Sequence, residues 1–324
     1  MAANSNYEAK KNTAISTLKL LFKGVLWDCF CDERVVEIMV NPDGSVYVER
    51  LGADIELVGR LQPNLIETII RTVSGFHDQE VTFDDPICEG EFPIDGSRFE
   101  GMIPPIVSGP SFTLRKKAIL IFSLDDYVKA GTMTAHQREI ICEAVRSRKN
   151  ILVVGGTGSG KTTLINAIIK EIVDQNNKER LVIIEDTGEL QCSAPDFVQM
   201  RSNEKISMTR LLKATLRYRP DRILVGEVRG AEALDLLDAW CTGHPGGCAT
   251  LHSDTAERGL KRLSNLISRN HEAPRDLEPL IGESVQVVVN IVKDVISHKR
   301  LIRSIIEVED WDAEKKKYIT HEIL

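Results

Sequence analysis

The sequence contains no long hydrophobic run. None of its apolar stretches approaches the ~20 residues that a membrane-spanning helix needs, and its first residues are too polar for a secretory signal peptide. Its seven cysteines are scattered and odd in number. In a chain without a secretory signal this indicates reduced thiols rather than a disulfide framework. We therefore expect a cytoplasmic protein.

An excess of basic residues is also absent. The 41 Lys and Arg residues face 48 Asp and Glu residues, for a net charge of −7. This balance leaves no global electrostatic footprint for nucleic acid or anionic lipid. With 324 residues, 42% hydrophobic and 27% charged, the chain has an ordinary globular composition and the length of two domains.

The most specific motif is the run N-I-L-V-V-G-G-T-G-S-G-K-T-T-L at residues 150–164. Its apolar part is too short for a helix and stops at a glycine cluster, which predicts a buried parallel strand, a turn and then a helix. Gly155, Gly160, Lys161 and Thr162 satisfy G-x4-G-K-[ST], in which backbone N–H groups of a glycine-rich loop face phosphate oxygens. We expect Lys161 to reach the β- and γ-phosphates and Thr162 to hold Mg²⁺. A glycine turn in an unrelated α/β unit is the alternative. The predicted nucleotide-binding residues of this loop are Gly156, Thr157, Gly158, Ser159, Gly160, Lys161, Thr162 and Thr163.

Short apolar runs alternate with helical patterns around this loop. Further strands are predicted at residues 181–184, 222–225 and 248–252. Helices are predicted at residues 134–147, 207–216, 230–240 and 255–268. This alternation indicates an α/β fold with a parallel sheet covered on both faces. Near the C-terminus, strands at the edge of the sheet are predicted at residues 285–292 and 301–308.

Acidic residues follow two of the predicted strands. The segment I-I-E-D-T-G-E-L places Glu185, Asp186 and Glu189 in or just after one strand, and I-L-V-G-E-V-R-G places Glu227 after another. Ligands of open α/β sheets bind beyond the carboxyl ends of the strands, so these carboxylates are expected to face the phosphates, Mg²⁺ and water. Solvated carboxylates in turns are the alternative interpretation.

Cysteines and histidines occur around the predicted strand at residues 248–252. Cys241, His244, Cys248 and His252 have the spacing C-x2-H-x3-C-x3-H, which is compatible with a zinc site. Between the last two, however, a buried strand is predicted, and a strand points its side chains to fixed faces rather than around a cage. We therefore favour His244 and His252 as polar sensors of the γ-phosphate.

Arginines crowd the sequence around Glu227. Phosphoryl-transfer sites need positive charge on the developing anion, and this charge is often supplied across a subunit interface. Ordinary solvated side chains are the alternative. The arginines are Arg217, Arg219, Arg222 and Arg229.

The first part of the chain predicts an α+β unit without a catalytic motif of its own. An apolar helical stripe at residues 13–30 either packs against this unit or docks on a membrane or a partner. A hairpin is predicted around N-P-D-G at residues 41–44, a helix after Pro63, and another small antiparallel sheet within residues 92–114. The predicted division of the chain is an N-terminal domain at 1–120, a linker at 121–133 and an ATPase domain at 134–324.

Four segments resemble, in order, the Walker A, Asp, Walker B and His boxes of the secretion superfamily ATPases. They are the phosphate loop, E-D-T-G-E-L, L-V-G-E-V-R-G and T-G-H-P-G-G-C-A-T-L-H-S. The segment M-V-N-P-D-G-S-V-Y-V-E-R resembles that family's N-terminal domain, so the resemblance covers nearly the whole chain. Pilus and type II secretion members usually have a proline where this chain has Thr187 and Gly188, and the chain lacks a paired C-x-x-C metal subdomain. Both differences indicate the type IV secretion and conjugation branch.

The resemblance implies a RecA-like P-loop NTPase domain at the C-terminus and a smaller α+β domain at the N-terminus that caps the nucleotide and supports oligomerisation. It implies ATP and Mg²⁺ as cofactors, and Glu189 as the residue that positions or activates the attacking water. Glu227 would be the Walker B acid and Arg219 would contact a neighbouring subunit. Arg98 and Arg115 fall where the family's N-terminal domain reaches nucleotide.

The family forms homohexameric rings on the cytoplasmic face of the inner membrane. By resemblance, this chain is expected to join inner-membrane secretion or conjugation components and to power conjugative pilus assembly or substrate transfer. Three other functions stay open: a pilus or type II secretion ATPase, a RecA-like nucleic-acid motor, and a scaffold that binds ATP but barely hydrolyses it. The net charge of −7 and the lack of a basic tract with aromatics argue against tight nucleic-acid binding. Glu189 and Glu227 favour turnover.

Overall fold

A computed structural model describes residues 2–117, 121–203, 205–294 and 299–323, with side chains from residue 7 onward. The chain forms two compact units, Met1–Leu120 and Ile121–Leu324. Among the described residues, no helix combines the length and the apolar composition needed to cross a bilayer.

The first unit is built on one antiparallel sheet. Its helices are α1 (Ala2–Leu21), α2 (Val25–Cys31) and α3 (Pro63–Phe76). Its strands are β1 (Val35–Val40), β2 (Ser45–Arg50), β3 (Glu56–Arg60), β4 (Ile87–Glu91), β5 (Arg98–Met102) and β6 (Ser111–Arg115). The order β3-β2-β1-β6-β5-β4 confirms the predicted hairpin, but β6 pairs with β1. The predicted second sheet is therefore part of the first.

The apolar stripe near the N-terminus lies in the core of the first unit. Leu18, Phe22, Leu26 and Cys29 are buried among strand residues and the buried face of α3, which confirms packing against this unit. The prediction of one continuous helix is wrong. Gly24 has a φ of +65°, a left-handed conformation that interrupts the helix between α1 and α2.

The second unit contains a mixed sheet with the predicted parallel core. Its helices are α4 (Leu124–Lys129), α5 (Ala135–Arg146), α6 (Lys161–Gln175), α7 (Met208–Thr215), α8 (Glu232–Cys241), α9 (Ala256–Ile267) and α10 (Glu278–Ser284). Its strands are β7 (Ile151–Gly155), β8 (Leu181–Glu185), β9 (Phe197–Arg201), β10 (Arg222–Val225), β11 (Cys248–His252), β12 (Val287–Lys293), β13 (Arg300–Asp312) and β14 (Lys317–Ile323). The order is β14-β13-β12-β7-β11-β10-β8-β9, and the strands from β12 to β9 pair in parallel.

Two apolar layers cover the two faces of this sheet. Successive residues of β7 alternate between them: Leu152 and Val154 pack with α8, α9 and α10, whereas Ile151 and Val153 pack with α5 and α6. Full burial of such side chains stabilises the fold by about 1.5–3 kcal/mol each. Because both faces are buried, these strands are continuous apolar runs in the sequence.

Two segments of the second unit differ from the prediction. Residues 121–133 do not form a bare linker: α4 begins at a capping box formed by Ser123 and Asp126, and Leu124 and Tyr127 are buried in the core. Near the C-terminus, β12 lies inside the sheet beside β7, whereas β14, which the sequence did not predict, forms the edge. β12 is interior because its residues Val287, Val288 and Val289 are buried, with α6 among their neighbours on one face and α9 on the other.

Candidate active site

The predicted phosphate loop connects β7 to α6. Gly158 and Gly160 have φ values of +69° and +97°, a left-handed region that favours glycine, and α6 begins directly after Gly160. At Gly155, a β-carbon would lie 2.3 Å from the carbonyl oxygen of Ile291 on β12. The glycines therefore allow a compact turn at the N-terminus of a helix, the geometry that receives anions in proteins.

Lys161 is held inside this turn. Its side chain is buried, and its Nζ donates a hydrogen bond of 2.9 Å to the carbonyl oxygen of Gly156. The same Nζ lies 3.4 Å from Nε2 of His252. His252 is the last residue of β11 and the register partner of Gly155, so the parallel pairing of β7 with β11 brings the histidine beside the loop.

A chain of charged contacts continues from His252 across the carboxyl ends of the strands. Its Nε2 lies 3.1 Å from Oε1 of Glu227, which follows β10. Arg229 contacts Oε2 of Glu227 at 2.5 Å and also donates a hydrogen bond to Asp186, which follows β8. Lys161, His252, Glu227, Arg229 and Asp186 thus form one connected group at one edge of the sheet.

The electrostatics of this group keep His252 neutral. Burial lowers the pKa of His252 below its ordinary 6.5, the positive charge of Lys161 lowers it further, and Glu227 only partly opposes both. Burial would also lower the pKa of Arg229, but the hydrogen bond with Glu227 and the charge of Asp186 outweigh it and raise that pKa. The lowered pKa favours an uncharged imidazole for His252 at neutral pH.

Glu185, the last residue of β8, and Glu189, in the loop after it, have different environments. Glu185 is 1% exposed, and its Oε2 accepts hydrogen bonds from the N–H groups of Glu189 at 2.6 Å and Leu190 at 3.0 Å. Gln199 donates a hydrogen bond to the other carboxylate oxygen of Glu185, and burial raises the pKa of Glu185. The prediction that Glu185 faces the phosphates is therefore wrong, because its carboxylate is buried and binds the backbone of the loop that follows β8. Glu189 is partly exposed, and its charge contributes to raising the pKa of Arg229.

Two other predicted residues, His244 and Arg222, lie at the amino ends of the strands, away from the phosphate loop. Nδ1 of His244 lies 2.9 Å from the carbonyl oxygen of Pro220, just before β10, so the prediction of His244 as a γ-phosphate sensor is wrong. Arg222 is buried and donates hydrogen bonds to Glu179 and to the carbonyl oxygens of Val145 on α5 and Gly246 before β11. These contacts give His244 and Arg222 a role in holding the loops at the amino ends.

Arg219 lies in the exposed turn before β10. It has a φ of +53°, and Arg217 is exposed beside it. The turn is held by Arg180, which precedes β8 and donates a 2.9 Å hydrogen bond to the carbonyl oxygen of Tyr218. The phosphate loop follows the carboxyl end of β7, whereas Arg219 precedes the amino end of β10, a strand about 13 Å long.

The zinc alternative does not fit these positions. Cys248 is fully buried among apolar side chains, and Cys241 places its Sγ 2.9 Å from Oγ of Ser284. His244 and His252 are at opposite ends of the sheet. Within the described ranges, no group of three or more His, Cys, Asp or Glu side chains is arranged to hold a metal ion.

Arg98 and Arg115 belong to the first unit. They lie on the neighbouring strands β5 and β6, they are direct register partners, and both are exposed. Their predicted contact with nucleotide stays a prediction.

Three polar residues near the loops at the carboxyl ends of the strands were not predicted; Asn166 and Asn290 are buried and Gln199 is exposed. Asn166 on α6 and Gln199 on β9 bind the loop that carries Glu189. Asn290 on β12 donates to the carbonyl oxygens of Val154 at 3.4 Å and Asp254 at 3.3 Å. The one available signal was a polar residue inside an apolar pattern, as in V-V-V-N-I-V for Asn290.

Comparison with known proteins identifies the family. Residues 26–320 match the family model described as type II/IV secretion system protein. The chain is 49% identical over 278 residues to a probable conjugal transfer protein TrbB of Sinorhizobium fredii, covering 86% of this chain and 84% of the relative. It is 28% identical over 302 residues to the type IV secretion system protein VirB11 of Brucella suis, covering 82% of this chain and 81% of the relative.

Solved structures share the fold. The Legionella pneumophila ATPase DotB aligns with a TM-score of 0.60 at 19% identity, covering 90% of this chain and 80% of DotB. The pilus retraction motor PilT, solved with bound ADP, aligns with a TM-score of 0.60 at 20% identity, covering 84% of this chain and 77% of PilT. These alignments confirm the predicted two-domain, RecA-like architecture. The chain therefore belongs to the type II/IV secretion system protein family, in its type IV secretion and conjugal-transfer branch.

Proposed function

We propose that this chain is a hexameric ATPase that hydrolyses ATP to power conjugative pilus assembly or substrate transfer through a type IV secretion system. The observation that carries the proposal is the connected group Lys161, His252, Glu227, Arg229 and Asp186 beside a glycine-rich loop at a helix N-terminus. Cations at a phosphate loop with carboxylates behind them are the components of a phosphoryl-transfer site.

In this proposal the loop residues 156–163 bind the phosphates through backbone N–H groups and the ammonium of Lys161. Glu189 positions or activates the attacking water, and Glu227 acts as the Walker B acid. His252 contacts both Lys161 and Glu227, which suits a neutral side chain that responds to the γ-phosphate. Arg98 and Arg115 contribute from the first unit.

The residues present fit a bound Mg²⁺. Oε1 of Glu227 is buried and accepts no hydrogen bond from the described residues, although His252 approaches it. Thr162 offers a hydroxyl in the first turn of α6, and oxygen ligands are those that Mg²⁺ prefers. When bound, Mg²⁺ neutralises charge on the phosphate oxygens. Thr162 would hold the ion, and Glu227 would orient it or its water.

Assembly into a ring gives Arg219 its proposed role. Arg219 is exposed in the turn before the amino end of β10, whereas the phosphate loop of the same subunit lies at the carboxyl ends of the strands. Its side chain is therefore available to a neighbouring subunit. Relatives are named as conjugal transfer and type IV secretion proteins, which supports inner-membrane secretion components as partners and a location at the cytoplasmic face of that membrane. Six-fold rings in electron micrographs, with and without ATP, would test the assembly.

Other functions of the same fold would show in the same preparations. A nucleic-acid motor would bind DNA tightly at physiological salt and hydrolyse ATP faster in its presence, whereas we expect weak binding that declines as salt rises. A pilus or type II secretion ATPase would hydrolyse ATP equally well but would restore pilus retraction or type II secretion in a deletion strain, rather than conjugation.

The hydrolysis itself is tested with Glu189→Gln. The amide keeps the shape but cannot accept a proton, so we expect ATP binding within about twofold of wild type and a kcat lower by about 10²–10⁴-fold. Glu314→Gln, at an exposed turn between β13 and β14, is the matched control and should leave both unchanged. Turnover at the wild-type rate in Glu189→Gln would remove Glu189 from the catalytic role.

A further inference from the structure

Both backbone polar groups of Glu189 are held by buried side chains from two different elements. Glu185, at the end of β8, accepts a hydrogen bond of 2.6 Å from the N–H of Glu189. Asn166, on α6, donates a hydrogen bond of 3.2 Å to the carbonyl oxygen of Glu189. The backbone from which the Glu189 side chain projects is therefore fixed on both sides.

Asn166 binds the same loop a second time. Its Oδ1 accepts a hydrogen bond of 2.9 Å from the N–H of Gln191, so both ends of its amide are used by the loop. Asn166 is 2% exposed and lies among the apolar residues Ile165, Ala167 and Ile169 of α6. Burying an amide costs free energy unless it is hydrogen-bonded, and here the loop that carries Glu189 makes one hydrogen bond with each end of the amide.

The helix that carries Asn166 is the helix of the phosphate loop. Asn166 lies one turn beyond Thr162, so the two side chains project from the same side of α6. A displacement of the first turn of α6 would therefore reach the backbone of Glu189 through this single amide.

The far side of the loop is closed by Gln199 on β9. Its Nε2 donates a hydrogen bond of 2.9 Å to the carbonyl oxygen of Leu190 and another to Glu185. Within the loop, Gly188 has a φ of +66°, and a β-carbon there would lie 2.6 Å from the guanidinium of Arg201. The loop is thus held by hydrogen bonds from α6, β8 and β9.

We infer that Asn166 is a positioning residue that couples the phosphate-loop helix to Glu189. Nucleotide held by the first turn of α6 sets the position of Asn166, and Asn166 sets the position of the carboxylate that meets the water. The inference rests on the proposed role of Glu189 in hydrolysis. It assigns to Asn166 an effect on kcat with no contact to nucleotide.

The test is Asn166→Leu, which keeps the branched shape and the number of side-chain heavy atoms and removes both hydrogen bonds to the loop. We expect ATP affinity, measured by calorimetry, to stay within about twofold and kcat to fall about 10–100-fold, the loss that a misplacement of about 1 Å produces. Asn176→Leu, at the exposed C-terminal end of the same helix, is the control and should change neither. A raised KM with unchanged kcat would overturn the inference.

A double-mutant cycle separates positioning from a general effect on the fold. If Asn166 acts through Glu189, adding Asn166→Leu to Glu189→Gln should lower the residual kcat by less than about twofold. Losses that multiply would show that Asn166 acts independently of Glu189 and would contradict the inference. If Asn166→Leu does not fold, Asn166→Asp replaces it, because aspartate keeps an acceptor for the N–H of Gln191 and loses the donor to the carbonyl oxygen of Glu189; the same split between affinity and kcat and the same cycle apply.

Loss of the proposed role of Glu189 and loss of the coupling through Asn166 give different results. Wild-type turnover in Glu189→Gln would remove the proposed function of Glu189 itself. An inactive Glu189→Gln together with a fully active Asn166→Leu would leave that function intact and remove only the coupling through α6.

Discussion

Arg222→Met tests whether Arg222, one of the arginines around β10, stabilises the fold rather than taking part in hydrolysis. The guanidinium of Arg222 is 3% exposed and forms a buried ion pair with Glu179. It also donates hydrogen bonds of 3.1 Å to the carbonyl oxygens of Val145 and Gly246. Methionine fills a similar volume but leaves the carboxylate of Glu179 buried without its main partner.

The expected effect is a loss of folding stability. Removing one partner of a buried ion pair costs about 3–5 kcal/mol, because the other charge stays buried. Arg148 lies 3.3 Å from Glu179 and compensates in part, so we expect the lower end of this range. A loss of about 3 kcal/mol changes the folding equilibrium about 160-fold. Arg222→Met combined with Glu179→Leu should recover most of it, since no buried charge is then left alone.

Urea denaturation followed by tryptophan fluorescence measures this loss. Trp240 reports on the region because its Nε1 donates a 3.1 Å hydrogen bond to the carbonyl oxygen of Ile223. Arg217→Met, at an exposed position in the same stretch, is the control and should change the free energy of unfolding by less than about 0.5 kcal/mol. A cost below about 1 kcal/mol, together with lost hydrolysis in Arg222→Met, would refute the structural role.

Two further predictions concern Arg219 and His252. If Arg219 acts across an interface, hydrolysis should rise more than linearly with protein concentration, and Arg219→Ala should lose hydrolysis but keep nucleotide affinity. Mixing Arg219→Ala with Lys161→Ala subunits should restore activity. If demonstrably mixed rings stay inactive, Arg219 does not act across the interface. For His252, the folded-state pKa is below 6.5, so the unfolded state binds more protons just below pH 6.5 and stability falls as pH drops through that window. His252→Asn should remove this dependence, and an unchanged pH profile of unfolding in that variant would contradict it.

Continuous apolar runs make the parallel sheet predictable. β7, β8 and β10 are buried on both faces, and each is an uninterrupted or nearly uninterrupted apolar run in the sequence. β9 has no such signal, because its residues alternate between exposed and partly buried at the end of the sheet. α4 was also missed, since only Leu124 and Tyr127 of its short length reach the core.

The different environments of Glu185 and Glu189 depend on a turn that their spacing in the sequence does not predict. In E-D-T-G-E, Glu185 is buried because the chain reverses at Gly188 and brings the N–H of Glu189 onto its carboxylate. The reversal needs glycine because a β-carbon at residue 188 would lie 2.6 Å from the guanidinium of Arg201, a residue of β9. Since the contact joins residues of different strands, the local sequence alone could not tell which carboxylate stays accessible.

Sequence proximity also misplaced one histidine. His244 and His252 are separated by a single strand, and β11 carries them to opposite edges of the sheet. In the same way, β10 separates Arg222, which is buried at the amino end of the strand, from Glu227, which lies beyond the carboxyl end. In a parallel sheet, the end of the strand at which a residue lies decides whether it reaches the phosphate loop.

The central claim, that this site hydrolyses ATP, is tested most directly by measuring phosphate release with Mg²⁺ for the wild-type protein and for Lys161→Ala. Lys170→Ala, later on the same helix and paired with Asp174, is the matched control. We expect Mg²⁺-dependent release by the wild type and the control, and a loss of at least about 10²-fold in Lys161→Ala, because the cation at the phosphates is removed. Equal release by all three proteins would contradict the claim.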